Sequence, residues 1–340
     1  MKHLHLTEQL HAAIIEDILS GKFNPGDRIP SEREYAEVTG TSRITVRRAY
    51  QQLEASGIIV RPAGGARVAE TFQAHQGPLE NVGLLTTLPH EFSGKFVHAV
   101  SQCCQRAGAL TVLGIPEPDT AAQQLHLAVR MASRGIKDLI VWGADRTFDF
   151  RVFQRLRILG VNLVFFDQVI PGAYADYVGL DNRAAVTALF RHAASHGAEK
   201  MVFLNHSGLT IDTNAEREQA FRELLTSSGI PGEVRHLPVD AGREHRHAFA
   251  DALLRDFAPG TAFIGVNAPI MQQLFRTPPA NNRLYCVDYV PQLADMNVVG
   301  YRQPIEQMAE AAVKMLLEQR RKGPKWQAAI KRFTGELVEQ

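Results

Sequence analysis

The chain has 340 residues, 45% hydrophobic and 21% charged, an ordinary globular composition that excludes disordered and collagen-like chains and suffices for two or three cores. Its formal net charge of +1 means that any anionic partner must be met by a local patch, because the whole molecule offers no strong field. Cys103, Cys104 and Cys286 are an odd set without metal-ligand spacing, so reduced cytoplasm is expected, with no disulfide framework and no metal.

The N-terminus lacks the uninterrupted apolar core of a signal peptide, and no stretch approaches the roughly 18 apolar residues of a membrane span. Thr7 precedes a helix whose Leu10, Ile14 and Ile18 recur at helical spacing, and Ser20-Gly21 ends it. The turn-rich "FNPGDRIP" follows. Ser31 with Glu34 is a capping-box pattern that opens a short second helix ending around "VTGTS". Ser42 caps a third helix, in which Val46, Ala49, Tyr50 and Leu53 form the apolar stripe. Arg43, Ile44, Thr45, Arg47 and Arg48 are left on the remaining arc of its first turns. "GIIVR" and "ARVAE" flank "PAGG", which suits a two-stranded wing turning at Gly64-Gly65.

Residues 71–79 have no helical or strand period and include Gly77-Pro78, so they read as a linker between a domain at 1–70 and a larger one at 80–340. Beyond it, "NVGLLTT", "KDLIVWG", "VNLVFFD", "KMVFLN", "TAFIGVN" and "RLYCVDY" alternate with helical segments. That is the pattern of βα units on parallel sheets.

Two capped helices joined by a tight turn, the second bearing arginines at its N-terminal end, is a geometry that enters a DNA major groove. Arginine can bond guanine O6 and N7 with its planar fork, while hydroxyls and backbone amides hold phosphates. From Arg28 to Arg67 there are seven arginines and four glutamates, a local +3. The arrangement therefore carries more than the total charge does. Arginines on an isolated helix are usually a solvated face; the order cap, helix, cap, helix, wing is what distinguishes these.

This stretch, "PGDRIPSEREYAEVTGTSRITVRRAYQQLEASGIIVRPAGGARV", resembles the winged helix-turn-helix of GntR-type bacterial transcription regulators over about the first 70 residues. The resemblance implies that double-stranded operator DNA is met by Arg33, Ser42, Arg43, Thr45, Arg47, Gly64 and Gly65. Tyr35 stands where the family usually has leucine.

GntR-type modules are joined to unrelated effector domains. An aminotransferase-like partner needs more chain than remains, and a helical metal-binding partner would lack these strands. The βα region instead resembles the LacI/GalR ligand-binding core, itself similar to periplasmic sugar-binding proteins, through "DYVGLDNRAAVTALFRHAASHGAEKMVFL", "AEREQAFRELLTSSGIP" and "LYCVDYVPQLADMNVVGYRQPIEQMAEAAVKMLL". The implied fold class is α/β, a winged helix-turn-helix followed by a two-lobed core of parallel sheets. Ligand would bind between the C-terminal ends of the two sheets. The resemblance carries binding positions onto Asp181, Arg217, Asn267, Asp288 and Gln303, with Phe92 as a ring-stacking candidate.

Carboxylates, amides, a guanidinium and an aromatic face together suit a carbohydrate-like effector. Two departures bear on that reading. Asn267 is followed by Ala268-Pro269 where the family has aspartate, and "TTLPHEF" lacks the usual Asn-Pro before its aromatic residue, leaving His90 to supply a different polar group. His245 and His247 lack further ligands and read as a helix face. No phosphate-binding glycine loop follows "NVGLL" and no nucleophile-base pair is evident, so no catalysis and no cofactor are expected. The two sites together read as a cytoplasmic repressor of carbohydrate-utilisation genes, released from its operator by a sugar, and a homodimer is expected because one small winged helix reads few bases. The alternative is a corepressor-dependent or activating regulator that senses a non-sugar metabolite.

Overall fold

The computed structural model describes residues 2–70, 76–86, 91–117, 120–143, 150–168, 170–208, 210–239, 242–275, 279 and 283–339. The chain begins with α1 (Lys2–Leu19), α2 (Glu32–Thr39) and α3 (Arg43–Ala55), then a ribbon of β1 (Ile59–Val60) and β2 (Arg67–Val68). Leu10, Ile14 and Ile18 of α1 are buried and share one apolar cluster with Val46, Ala49 and Leu53 of α3. Thr7 does not cap α1; it lies buried inside that helix, because nothing in the preceding residues stops it.

The local signals of the second and third helices act as their chemistry dictates. Ser31 Oγ accepts from Glu34 N at 3.3 Å while Glu34 Oε2 accepts from Ser31 N at 2.7 Å, and Gly40 at φ 62° closes α2. Ser42 Oγ accepts from Thr45 N at 3.2 Å at the start of α3. Tyr50 donates its hydroxyl to the Pro30 carbonyl at 2.6 Å, fixing α3 against the turn before α2. In the ribbon, Ile59 faces Val68 and Val60 faces Arg67, antiparallel, and Gly65 takes φ 102° in the connecting turn.

The first lobe contains β3 (Asn81–Leu85), α4 (Glu91–Arg106), β4 (Leu110–Gly114), α5 (Ala121–Ser133), β5 (Asp138–Trp142), α6 (Phe150–Ile158), β6 (Asn162–Phe166) and β7 (Asp176–Leu180). The second contains α7 (Asn182–Ser195), β8 (Lys200–Ser207), α8 (Asp212–Ser228), β9 (Gly232–Pro238), α9 (Arg243–Asp256), β10 (Thr261–Gly265), α10 (Ala268–Leu274), β11 (Arg283–Val287) and β12 (Val298–Arg302). The chain then returns to the first lobe with α11 (Ile305–Lys322) and β13 (Ile330–Phe333), and ends in the second with β14 (Glu336–Val338).

The first sheet runs β4-β3-β5-β6-β7-β13, all parallel. The second runs β9-β8-β10-β11-β12-β14, with only β14 antiparallel. "DLIVW" and "NLVFF" are buried at every residue, as strands covered on both faces by helices require. The chain crosses between lobes after Leu180, after Arg302 and after Phe333.

α11 packs on α4, β6 and β7. Near its C-terminal end, Arg320 pairs with the fully buried Asp138 and donates through Nη1 to the Gly77 carbonyl at 2.9 Å. Gln319 beside it donates to the Leu163 carbonyl (2.8 Å) and Asp176 (2.7 Å), and accepts from Arg157 (2.7 Å). The winged unit also meets the first lobe: α1 packs on α6, and Arg155 donates to Asn24 Oδ1 at 3.2 Å.

Candidate effector cleft and nucleic-acid interface

Arg43, Ile44, Arg47 and Arg48 are exposed on the first turns of α3, with Ile44 at 65%. Thr45 is not on that face. It is buried at 4%, and its hydroxyl lies 2.7 Å from that of Ser42, because the helix turns this position inward against the core. Arg33 is exposed on α2 and pairs with Glu37 at 3.0 Å. Arg28, Arg33, Arg43, Arg47 and Arg61 line one groove with Ser31 and Gly65, so the wing turn stands beside the arginine helix; Gly64 precedes it with open space around its Cα. Glu32 sits in this groove and receives Arg47 at 3.0 Å and Arg61 at 2.9 Å. Burial works against the Glu32 carboxylate, but these two guanidinium groups hold its pKa below the ordinary value.

A second concavity, about 350 Å³, opens between the lobes at the C-terminal ends of their strands. Phe92, Arg217, Asn267, Asp288 and Gln303 all line it. Asp181 does not: its carboxylate caps α7 by accepting from Ala184 N at 2.9 Å. The position after a strand suits both capping and ligand contact, and here the crossover into α7 uses it as a cap. Asn267 combines the two, capping α10 through Ile270 N at 3.1 Å while facing the cleft. His90 lies outside the described residues.

Arg217 is 3% exposed and fixed from both ends, donating to Asn182 Oδ1 (2.8 Å) and the Val266 carbonyl (2.9 Å). Asp288, at the end of β11, has φ 80° and accepts from Gln303 Nε2. Asp167, at the end of β6 in the other lobe, has φ 58°. Each lobe therefore presents one cleft aspartate in the left-handed region, a costly conformation that aspartate tolerates better than most residues. Burial pushes the Asp167 carboxyl up to about 6, with Asp288 and Glu216 adding to the rise and Arg217 opposing it. Asp167 Oδ1 and Gln303 Oε1 are buried and accept no hydrogen bond. Phe92 packs edge-on against Trp142 at 5.3 Å, forming an aromatic wall on the first-lobe side.

The lobes are bridged beside the cleft. Asp212 accepts from Ile170 N at 2.8 Å and donates its own N–H to the Gln168 carbonyl at 3.0 Å. Arg332 on β13 forks onto Glu216 of α8 at 2.8 and 2.6 Å. Asp167, Trp142, Thr213, Asn214 and Gln292 line the cleft as well, beyond the positions that the resemblance implies. Asp167 and Trp142 stand directly at the ends of the recognised runs "VNLVFFD" and "KDLIVWG", so the rule that ligands meet strand C-termini points to them.

Residues 6–68 match the model of the gntR family of bacterial regulatory proteins. The N-terminal unit is a GntR-type winged helix-turn-helix. Over 70 residues the chain is 37% identical to the HTH-type transcriptional regulator Mce2R of Mycobacterium tuberculosis, covering 21% of this chain and 29% of that protein. The chain thus aligns with less than a third of that relative's length.

The remainder has the LacI-type fold. A LacI transcriptional regulator from a Rhodococcus species superposes at TM-score 0.64 with 18% identity, over 76% of this chain and 97% of that one. The Cra transcriptional dual regulator of Pseudomonas putida, in complex with fructose 1-phosphate, superposes at TM-score 0.65 with 17% identity, over 76% and 98%. A GntR-type DNA-binding unit is therefore fused to a LacI-type two-lobed core.

Proposed function

We propose that the chain is a cytoplasmic, ligand-responsive transcriptional repressor whose inter-lobe cleft binds a carbohydrate and whose GntR-type unit binds operator DNA. The observation that carries this reading is the convergence of Asp167, Arg217, Asp288 and Gln303, drawn from both lobes, on one cleft with an aromatic wall. Such a site reads hydroxyl groups as donors and acceptors while the ring covers apolar C–H faces. The fructose 1-phosphate bound by the Pseudomonas putida regulator places a carbohydrate in the same fold. Among the described lining residues two carboxylates accompany one guanidinium, a balance that favours a neutral sugar over a sugar phosphate.

Ligand that binds across both lobes favours the closed arrangement, and whatever that does to DNA affinity, DNA does to ligand affinity, typically by about 1–3 kcal/mol. A dimer is part of the proposal, because one small winged helix reads few bases whereas two-fold pairs span two half-sites. The first-lobe edge strand β4 supports it by exposing Leu110 (71%) and Leu113 (45%).

The test is a thermal-shift screen of neutral sugars and sugar phosphates, followed by gel-shift titration of operator DNA with each stabilising compound. A neutral sugar that raises the melting temperature and releases DNA is the expected result. Stabilisation only by compounds without hydroxyl-rich rings would overturn the carbohydrate assignment, and a sugar that tightens DNA binding would reverse the sign of regulation.

A further inference from the structure

Away from the cleft, the last turn of α7 carries His192, and His196 follows as its C-cap. Four residues apart, they share a helix face. Their rings stack with centroids 4.0 Å apart and planes 19° from parallel. His196 Nδ1 lies 2.8 Å from the His192 carbonyl oxygen. A carbonyl only accepts, so Nδ1 carries the proton and Nε2 carries the lone pair. Ser195 Oγ, 3.2 Å from the same nitrogen, donates its own proton to that carbonyl at 3.0 Å and is consistent with this tautomer. A backbone carbonyl fixing one ring nitrogen is the usual support of a metal-binding histidine.

The third group comes from the C-terminal end of the chain, where β14 packs against α7. Glu339 follows the edge strand β14, and its Oε1 lies 2.5 Å from His192 Nε2. One donor atom from each of His192, His196 and Glu339 lies within 4.8 Å of the other two. His196 and Glu339 are exposed, so their side chains can turn toward a common point without displacing packed neighbours. In the metal-free chain His192 donates Nε2–H to Glu339, and His196 Nδ1–H caps the His192 carbonyl at the end of α7, which leaves the His196 Nε2 lone pair available as a ligand.

We propose that His192, His196 and Glu339 form a binding site for a divalent transition metal of the zinc class. Two imidazole nitrogens and one carboxylate, with no thiolate, suit zinc, nickel or copper, whereas magnesium and calcium take more oxygen ligands. Water fills the fourth position. The ion staples the end of the three-residue strand β14 to α7, closing the edge of the second sheet. His192 is ten residues along α7 from Asn182, about 15 Å at the helical rise, so the metal acts on the stability of this lobe and not on the effector directly.

The test uses the full chain without a histidine tag, stripped with chelator and titrated with zinc chloride by calorimetry and thermal unfolding. One equivalent should bind and raise the melting temperature, and magnesium chloride should not. His196→Ala should keep the metal-free melting temperature yet lose about tenfold or more in zinc affinity; Glu339→Gln should lose affinity as well. A double His245→Ala, His247→Ala variant should bind zinc like the parent. Absence of a zinc-dependent rise, unchanged affinity in His196→Ala, or loss of binding in the double variant instead would overturn the site.

Discussion

Gln303 donates its side-chain amide to Asp288 Oδ1, joining the end of β11 to the crossover that begins α11. The bond holds Asp288 in its left-handed conformation with the carboxylate toward the cleft. Asp288→Ala should therefore abolish effector binding, at roughly 1–3 kcal/mol for each polar partner left unsatisfied, while operator affinity in gel shift stays normal. In a reporter strain the variant should repress permanently. A normal response to effector would remove Asp288 from the site.

Arg43→Ala and Arg47→Ala should each cost about 1–3 kcal/mol in operator affinity if the residue reads a base edge. Glu32 pairs with Arg47 and Arg61, so it would compete with any DNA phosphate that these arginines meet. Glu32→Gln should accordingly tighten DNA binding, most visibly at low salt. Titrations at two fixed salt concentrations decide it, and unchanged affinity in both alanine variants would exclude α3 from recognition.

Asp167 sets a pH dependence whose sign follows from its raised pKa. The folded state holds this proton more tightly than the unfolded chain, so its burial is tolerated best below the ordinary carboxylate range. Stability is then lost as pH rises toward about 6. Asp167→Asn should be more stable than the parent at pH 7 and converge with it near pH 4. Urea melts at both pH values, compared as differences, separate this group from the other carboxylates. A constant difference would refute the assignment.

Arg320→Ala leaves Asp138 as an uncompensated buried charge, which typically costs about 3–5 kcal/mol. Chemical denaturation should show it, and adding Asp138→Asn should recover part of the loss. Equal stability of the parent and Arg320→Ala would mean that the pair carries no weight in the folded state.

Charges placed on the β4 edge, Leu110→Lys with Leu113→Lys, should shift sedimentation from dimer to monomer. Operator affinity should fall with it, because one half-site is lost. A dimer that survives both changes would place the interface elsewhere.

What the sequence revealed is mostly what is local. The Ser31–Glu34 box, the Ser42 cap and the buried parallel strands each depend on residues within a few positions, and each appears as expected. Helical spacing places Thr45 on the outer face, because spacing does not say how far the core reaches around α3, and the residue is buried. Asp181 has the right place after a strand, but only the three-dimensional path into α7 shows its carboxylate spent on a cap. β13 is short and mostly exposed, β14 is three residues and half-buried, and neither carries the apolar run that marks the inner strands. The pairing of His192 with Glu339 spans 147 positions, and no spacing rule reaches that far.

α11 touches the cleft at one end, through the Gln303 crossover, and grips Gly77 at the other, through Arg320. Its 18 residues make a rod about 27 Å long. A helix bolted at both ends does not absorb strain as a loop would; it transfers displacement. If the lobes close on a ligand, the Gly77 carbonyl travels with the helix that holds it. Displacement at the cleft would then reach Gly77 through a rod and not through a soft hinge.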